Sequence, residues 1–410
     1  MDLNRENWPE MPDFTLELQR ELERIREAGL LRELRPIASP QGPRIESAAR
    51  TLLNFSSNDY LGLANHPVLK EAAVKAVEKF GSGSGASRLI CGSLAPHHEL
   101  EEALAEFKAT EAALSFSTGY TAALGTIGAL LGKEDVLILD KLVHASIVDA
   151  ARLSGAKLRV FAHNDLEDLE SKLKWASETT RSSDSAQKRA PRILIVTESV
   201  FSMDGDLAPL RNIVELKEQY GARLMVDEAH ATGLFGAQRR GLAEAYELSE
   251  RVEVQMGTLG KALGASGGYI CGSRALVDLL VNRARSFIFS TAPVPAAAAA
   301  ARAAIKLLQS ADGEQRRARV WSLVDELKNA LTGGPWTLPV VQSAIVPIII
   351  GHETKAVEVA RQLRELGIFI PAIRYPTVAR GAARLRLTMT AAHSAEDIRE
   401  LARTLKQLHS

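Results

Sequence analysis

Long apolar runs are missing from this sequence. No stretch of 18 apolar residues occurs, so a membrane-spanning helix is not expected. Cysteine is nearly absent: Cys91 and Cys271 cannot build a disulfide framework, and neither has neighbours at zinc or redox spacing. Both read as structural thiols of a reducing cytosol. Net charge is missing as well, since 50 Lys plus Arg balance 50 Asp plus Glu, which removes any global attraction for nucleic acid or acidic lipid. The opening MDLNRENWPEMPDF contains acidic residues and no apolar core of a secretory signal. A cytoplasmic protein without a membrane span and without nucleic-acid binding is the expectation. A phosphate loop of the pattern GxxxxGK[ST] is also lacking. Its nearest approach, QMGTLGKA, has Gln255 in place of the first glycine and Ala262 after the lysine. That removes the ATPase reading which the tetrapeptide Asp227-Glu228-Ala229-His230 would otherwise invite.

What is present is enough to fold. A chain of 410 residues, 46% of them hydrophobic, can bury a large core divided between two or three lobes. From Phe14 to Leu34, apolar residues at near-helical spacing among many charges predict an amphipathic arm. Leu52 to Phe55 predicts a short strand, followed by the turn-rich SSNDYLGL. Seven short apolar runs then alternate with helix-like stretches: 112–116, 136–139, 158–161, 193–197, 224–226, 252–256 and 268–271. Several are apolar throughout, the pattern of strands covered on both faces, so a largely parallel sheet with helices on either side is expected. Residues 177–190 are polar and without apolar period, and read as a surface loop. Two prolines and an alanine run after Thr291 predict a closely packed helix. Beyond it, strands over 344–350 and 384–388 and a helix over 354–366 predict a smaller C-terminal lobe.

Two side chains stand out chemically. Asp227 ends the apolar run of LMVDEAHATGLFG, and the carboxyl end of a parallel strand is where open sheets place ligand-binding groups. Lys261 sits in GTLGKALGASGG, where small neighbours let a cofactor approach the amine closely. An amine for a Schiff base and a carboxylate opposite a pyridine nitrogen are what an aromatic aldehyde cofactor requires. His230, three residues after Asp227, can meet a phenolic oxygen or serve as an ordinary turn residue. His144, after the run 136–139, can stack on a flat ring or cap a helix. Thr118, Gly119 and Tyr120 follow another strand and open a helix, a position suited to phosphate. The glycines and serines of Gly81–Ser87 are weaker, because no strand precedes them.

At these residues the sequence resembles the alpha-oxoamine synthases. The likeness runs through NFSSNDYLGL, HASIVDAARLSG, FAHNDLEDLE, TESVFSMDGDLAPL, MVDEAHATGLFG, GTLGKALGASGG and RLRLTMTAAH, nearly the whole chain. The resemblance implies an α/β, fold-type-I pyridoxal 5'-phosphate transferase: a large, mostly parallel seven-stranded sheet domain and a smaller C-terminal α/β domain. The expected division is a helical arm over 1–50, the cofactor-binding domain over 51–290 and the smaller domain over 291–410. It further implies a homodimer with active sites at the subunit interface.

By the same resemblance Lys261 carries the cofactor, Asp227 pairs with its ring nitrogen, His230 contacts its phenolic oxygen and His144 stacks over the ring and assists proton transfer. Ser202 and Thr258 occupy cofactor-contacting positions, and Thr118, Gly119 and Tyr120 form the cradling turn, where Tyr120 replaces a more usual phenylalanine. Arg386 is implied to bind the amino-acid carboxylate, and Arg32 the distal carboxylate of the acyl chain; a guanidinium fork suits both. No metal is implied. The branch of the family most similar makes a biotin precursor: L-alanine displaces Lys261, the freed lysine removes the alpha proton, and the carbanion attacks a pimeloyl thioester of coenzyme A or of acyl carrier protein, with loss of carbon dioxide. Other branches join glycine or serine to other acyl groups. A non-enzymatic scaffold, which would bind no chromophore, is the remaining alternative.

Overall fold

The structure is a computed structural model that describes residues 13–181, 189–336 and 338–408. Its strands, in chain order, are β1 (Arg44–Ser47), β2 (Arg50–Asn54), β3 (Ala112–Phe116), β4 (Val136–Asp140), β5 (Lys157–Phe161), β6 (Ile193–Glu198), β7 (Arg223–Asp227), β8 (Val254–Thr258), β9 (Gly268–Gly272), β10 (Ile345–Gly351), β11 (Ile368–Phe369), β12 (Ala372–Ile373) and β13 (Ala383–Thr388). Strands β3 to β9 form one seven-stranded sheet in the order β3-β9-β8-β7-β6-β4-β5. The pairs β5–β4, β4–β6, β6–β7 and β7–β8 are parallel, while β9 runs antiparallel to both its neighbours. This is a fold-type-I architecture, and each of the seven expected strands is in it. The expected start at Val252 moves to Val254, because Ser249–Arg251 forms a short 3-10 turn just before it.

Strands β3, β4, β6 and β9 are buried along their whole length, which is why they carry almost no polar side chains. One apolar cluster packs on each face. The smaller includes Leu137, Leu139, Met225 and Met256 with Ala122, Ile127 and Ile147 from two helices. The larger includes Ile138, Ile195 and Val226, and continues through Leu53 and Ile305 to Leu385 and Leu401. Burying so many full side chains, at roughly 1.5–3 kcal/mol each, fixes the sheet as a rigid platform for whatever its strand ends carry.

Two smaller sheets complete the fold. One has the order β10-β13-β12, the other β1-β2-β11, so strand β2 near the N-terminus pairs in parallel with β11 more than 300 residues later. The helical arm expected over 1–50 is thus helical only over Phe14–Glu27, and Arg44–Ser47 is a strand; residues 1–12 lie outside the described residues. The predicted loop also needs correction, since helix Leu166–Arg181 covers its first five residues. Thr179 and Thr180 hide their polarity by donating their hydroxyls to the carbonyls of Trp175 and Ala176 one turn back. Residues 182–188 lie outside the described residues. The alanine run is the helix Pro295–Leu308. Cys271 is buried in β9, where burial pushes its thiol up to about 12, whereas Cys91 is exposed.

Candidate active site

Four parallel strands end side by side and hand their next residues to one cavity of about 170 Å³. It is lined by Gly119, Tyr120, His144, Ser146, Glu198, Asp227, His230, Met256, Thr258 and Lys261. Sheet register explains much of this set. Glu198 pairs with Asp227 and Asp227 with Met256, so three neighbouring strands present these side chains to the same face. The next residue along, Glu228, faces the other way. Its carboxylate accepts from Ser199 Oγ at 2.9 Å and from the backbone of Leu242 and Ala243 at 3.0 and 2.8 Å, which fixes the following turn. Two adjacent acids thereby divide between a ligand site and a scaffold.

Lys261 lies in the turn after β8, with Nζ 3.0 Å from His230 Nε2. The other ring nitrogen of His230 is 2.6 Å from the Tyr60 hydroxyl, and Arg386 Nη2 donates to that hydroxyl at 3.5 Å. Arg386 reaches the site from β13, anchored by a bond from Nη1 to Asn58 Oδ1 at 3.1 Å and another from Nε to the carbonyl of Ser202. Burial holds the Lys261 amine below its ordinary pKa; Arg386 adds to this and Asp227 and Glu198 oppose it. Burial, then the charges of Lys261 and Arg386, hold His230 well below the imidazole range, so it works as a neutral ring. His144 stands exposed in the single chain, and desolvation by the groups around its ring still lowers its pKa, with Asp227 opposing and Lys261 adding.

The glycine at 119 is required by space. A Cβ there would meet Thr258 Cγ2 at 2.5 Å, and one on Gly268 would meet the Gly119 backbone at 2.6 Å. Thr118 caps helix Gly119–Leu130, its hydroxyl accepting from Thr121 N. Thr121 N and Ala122 N are taken by the Thr118 hydroxyl and carbonyl, which leaves the amides of Gly119 and Tyr120 at the positive end of the helix dipole, where an anion binds favourably. The Tyr120 hydroxyl ties two helices together, donating to Asp149 on helix Ala145–Ser154, the helix that His144 caps. Thr258 Oγ1 is buried without a partner among the described residues. Ser202 adjoins the cavity through its backbone, whose N–H donates to Glu198 at 3.1 Å.

Arg32 is not brought into the cavity. It stands exposed beside the second sheet system, its Nη2 donating to the carbonyl of Tyr375 at 3.3 Å. Conversely, Glu198, Tyr60 and Asn58 belong to the site or its support, although the sequence pattern does not single them out. Glu198 has a readable signal all the same, because ILIVTE ends an apolar strand in an acid just as LMVD does.

Glu198 is 2% exposed, and its Oε1 has no hydrogen-bond partner among the described residues. Burial and then the neighbouring charge of Asp227 push its carboxyl up to about 8. An acid raised in the folded state costs stability as pH climbs from its unfolded value to its folded one. Glu198→Gln removes that cost. The cofactor-free variant is therefore expected to match the parent near pH 5 and to melt roughly 2–5 °C higher at pH 8 and above, read by calorimetry. A difference independent of pH would show that Glu198 is ionised throughout.

The sequence pattern described as aminotransferase class I and II matches residues 50–405. The 8-amino-7-oxononanoate synthase of Geobacter sulfurreducens is 48% identical over 385 residues, 94% of this chain and 96% of that one. The chain belongs to this family, and within it to the 8-amino-7-oxononanoate synthases. Among solved structures, the 8-amino-7-oxononanoate synthase of Francisella tularensis shares 27% identity at a TM-score of 0.71, covering 88% of this chain and 99% of that one. Serine palmitoyltransferase of S. paucimobilis, solved with a bound PLP–myriocin adduct, shares 30% identity at a TM-score of 0.87, covering 95% and 96%. The backbone is common to both activities, so the branch follows from sequence: 48% identity to an 8-amino-7-oxononanoate synthase against 30% to the palmitoyltransferase.

Proposed function

We propose that this chain condenses L-alanine with a pimeloyl thioester, releasing carbon dioxide and 8-amino-7-oxononanoate, a step of biotin biosynthesis, with pyridoxal 5'-phosphate as cofactor. The observation that carries the reading is a half-buried lysine, Lys261, whose amine desolvation holds below its ordinary pKa, sharing one cavity with a strand-end carboxylate, Asp227, in a chain of this family. The residues suit that cofactor. Orphaned Thr258 Oγ1 offers a hydrogen bond, the opening of helix Gly119–Leu130 suits a phosphate, and the Gly119–Gly268 contact keeps the cradle free of side chains. When bound, pyridoxal phosphate supplies an electrophilic aldehyde and a ring that withdraws electrons.

Lys261 is the amine that would hold the aldehyde carbon, and later the base that takes the alpha proton of alanine. Both roles need a neutral amine, which burial and Arg386 favour. Asp227 would face the ring nitrogen and keep it positive, while neutral His230 donates toward the phenolic oxygen and Tyr60 sets its tautomer from the other side. His144 would lie over the ring. Arg386 would bind the alanine carboxylate and, by holding it, turn the alpha C–H bond perpendicular to the conjugated plane. Its three existing bonds, to Asn58, Tyr60 and Ser202, fix that orientation in advance. Arg32 would meet the distal carboxylate of the acyl chain, and a homodimer is the assembly we propose for the active enzyme. No helix of the described residues is long and apolar enough to cross a membrane.

Purified protein supplied with cofactor, alanine and pimeloyl-coenzyme A is expected to yield 8-amino-7-oxononanoate by mass spectrometry. Equal or faster pimeloyl transfer to glycine or serine would overturn the choice of alanine.

A further inference from the structure

The segments FAHNDLEDLE and TESVFSMDGDLAPL meet outside the cavity around one side chain, His163. Its Nδ1 lies 3.0 Å from Asp140 Oδ1 and its Nε2 lies 2.8 Å from Asp206 Oδ2. An ionised carboxylate only accepts, so an imidazole facing one at each nitrogen holds both protons and a positive charge. Burial opposes that charge, but the bonds to Asp140 and Asp206 outweigh it and raise the ring's pKa to about 10. Phe201 packs edge-on against the ring, with centroids 4.3 Å apart. Beside it Asn164 donates Nδ2 to Asp206 Oδ2 at 2.9 Å and to the carbonyl of Leu207 at 3.2 Å.

Each of the two carboxylates belongs to a segment that serves the cavity. Asp140 ends β4, and its Oδ1 also accepts from the backbone of Leu142 at 2.8 Å, which fixes the turn leading to His144. Asp206 closes the loop that follows β6: Phe201 N donates to the Asp206 carbonyl at 3.0 Å, and Val200 pairs with Leu207. That loop carries the carbonyl of Ser202, the acceptor for Arg386 Nε, and Asp204, which pairs with Arg384. His163 thus stands between the turn that delivers His144 and the loop that anchors Arg386, without lining the cavity itself.

Stability alone does not call for this arrangement. Drawing two carboxylates and a charged ring out of water costs free energy, and Asp206 Oδ1 and Asn164 Oδ1 are left buried without partners among the described residues. What the arrangement secures is the relation between two segments that the chain joins only through β5, a helix and β6.

We propose that His163 is a positioning residue for the acyl-transfer reaction, holding the turn before His144 and the loop behind Arg386 in one fixed relation. The inference rests on the roles given above to those two residues. Arg386 orients the alanine carboxylate and His144 lies over the cofactor ring, so the angle between the reacting C–H bond and the ring plane depends on both.

The test uses the full chain loaded with cofactor and the variants His163→Gln and Asp206→Asn. Hydrogen exchange without substrate, read on peptides, is expected to quicken about tenfold or more in both 140–144 and 201–206 for His163→Gln. For Asp206→Asn it should quicken in 201–206 alone. In His163→Gln, kcat per cofactor-loaded site and the rate of alpha-proton exchange of alanine should fall together by roughly 10–100-fold, while KM for pimeloyl-coenzyme A stays within about twofold of the parent. Adding Asp206→Asn to His163→Gln should lower kcat little further, because both changes open the same contact. A structural role alone would reduce the number of loaded sites and leave kcat per site unchanged. That result overturns the proposal, as does parent-rate exchange in either segment of His163→Gln. If His163→Gln fails to fold, Asp206→Asn decides: parent-rate exchange in 201–206 or parent kcat per site overturns the proposal. A parent enzyme that does not consume alanine would instead remove the catalytic reading, and the hydrogen exchange then decides by itself whether His163 couples the two segments.

Discussion

Lys261→Ala is expected to lower kcat by roughly 10⁴-fold, because one amine is asked both to hold the cofactor and to move the alpha proton. Removing a positioned base alone costs about 10²–10⁴, and losing covalent capture adds to it. The protein should nevertheless fold. Desolvation disfavours the charged form of this half-buried amine, so its loss removes an unfavourable charge along with the packing of its stem, and the cofactor-free variant should melt within a few degrees of the parent. Pyridoxal phosphate should still enter the cavity, since Asp227, His144 and the helix opening at Gly119 are untouched. Borohydride treatment followed by mass spectrometry should then find the cofactor fixed to the parent at Lys261 and absent from the variant. Cofactor fixed to another lysine in the parent would remove the basis of the whole functional reading.

The second large effect concerns charge. Asp227→Asn keeps the shape of the strand end and removes the negative charge that would face the ring nitrogen. At contact distance in a medium of effective dielectric near 20, that charge is worth about 4 kcal/mol, so a loss of roughly 10³-fold in kcat is expected. Two responses oppose each other. Asp227 raises the pKa of Lys261, so its removal leaves the amine more often neutral and a readier base. It also raises the pKa of Glu198, which would ionise at lower pH and replace part of the lost charge. Neither restores a carboxylate opposite the nitrogen, and the electron-withdrawing power of the ring is what the alpha carbon depends on. The checks are steady-state kcat across pH and the rate of alpha-proton exchange of alanine in deuterated water, which isolates the proton step. Exchange at the parent rate would show that Asp227 serves only to hold the cofactor.

Much of this can be read along the chain. The seven strands of the main sheet are legible because strands buried on both faces must be apolar throughout, and turns must separate them. Asp227 and Lys261 are legible because strand ends and glycine-rich turns are where a parallel sheet can place reactive groups. Glu198 obeys the same rule, yet a lone acid at a strand end has no partner in sequence to mark it. The difference at 177–181 has another origin: Thr179 and Thr180 look like loop residues until their hydroxyls are seen bonded one turn back in the helix.

Local pattern was enough for the family, for the alternation of strand and helix, and for singling out Lys261 and Asp227, which the fold places in one cavity. Side-chain period, strand-end position and the need for small residues around a reactive group all show in neighbouring residues. Which distant groups support that centre was settled by packing alone. Tyr60 beside His230, Arg386 anchored on Ser202 and Asn58, and β2 paired with β11 all join residues far apart in the chain. Such pairings follow from how the sheets pack on a shared core, and contact across a fold leaves no mark in the spacing of residues along it.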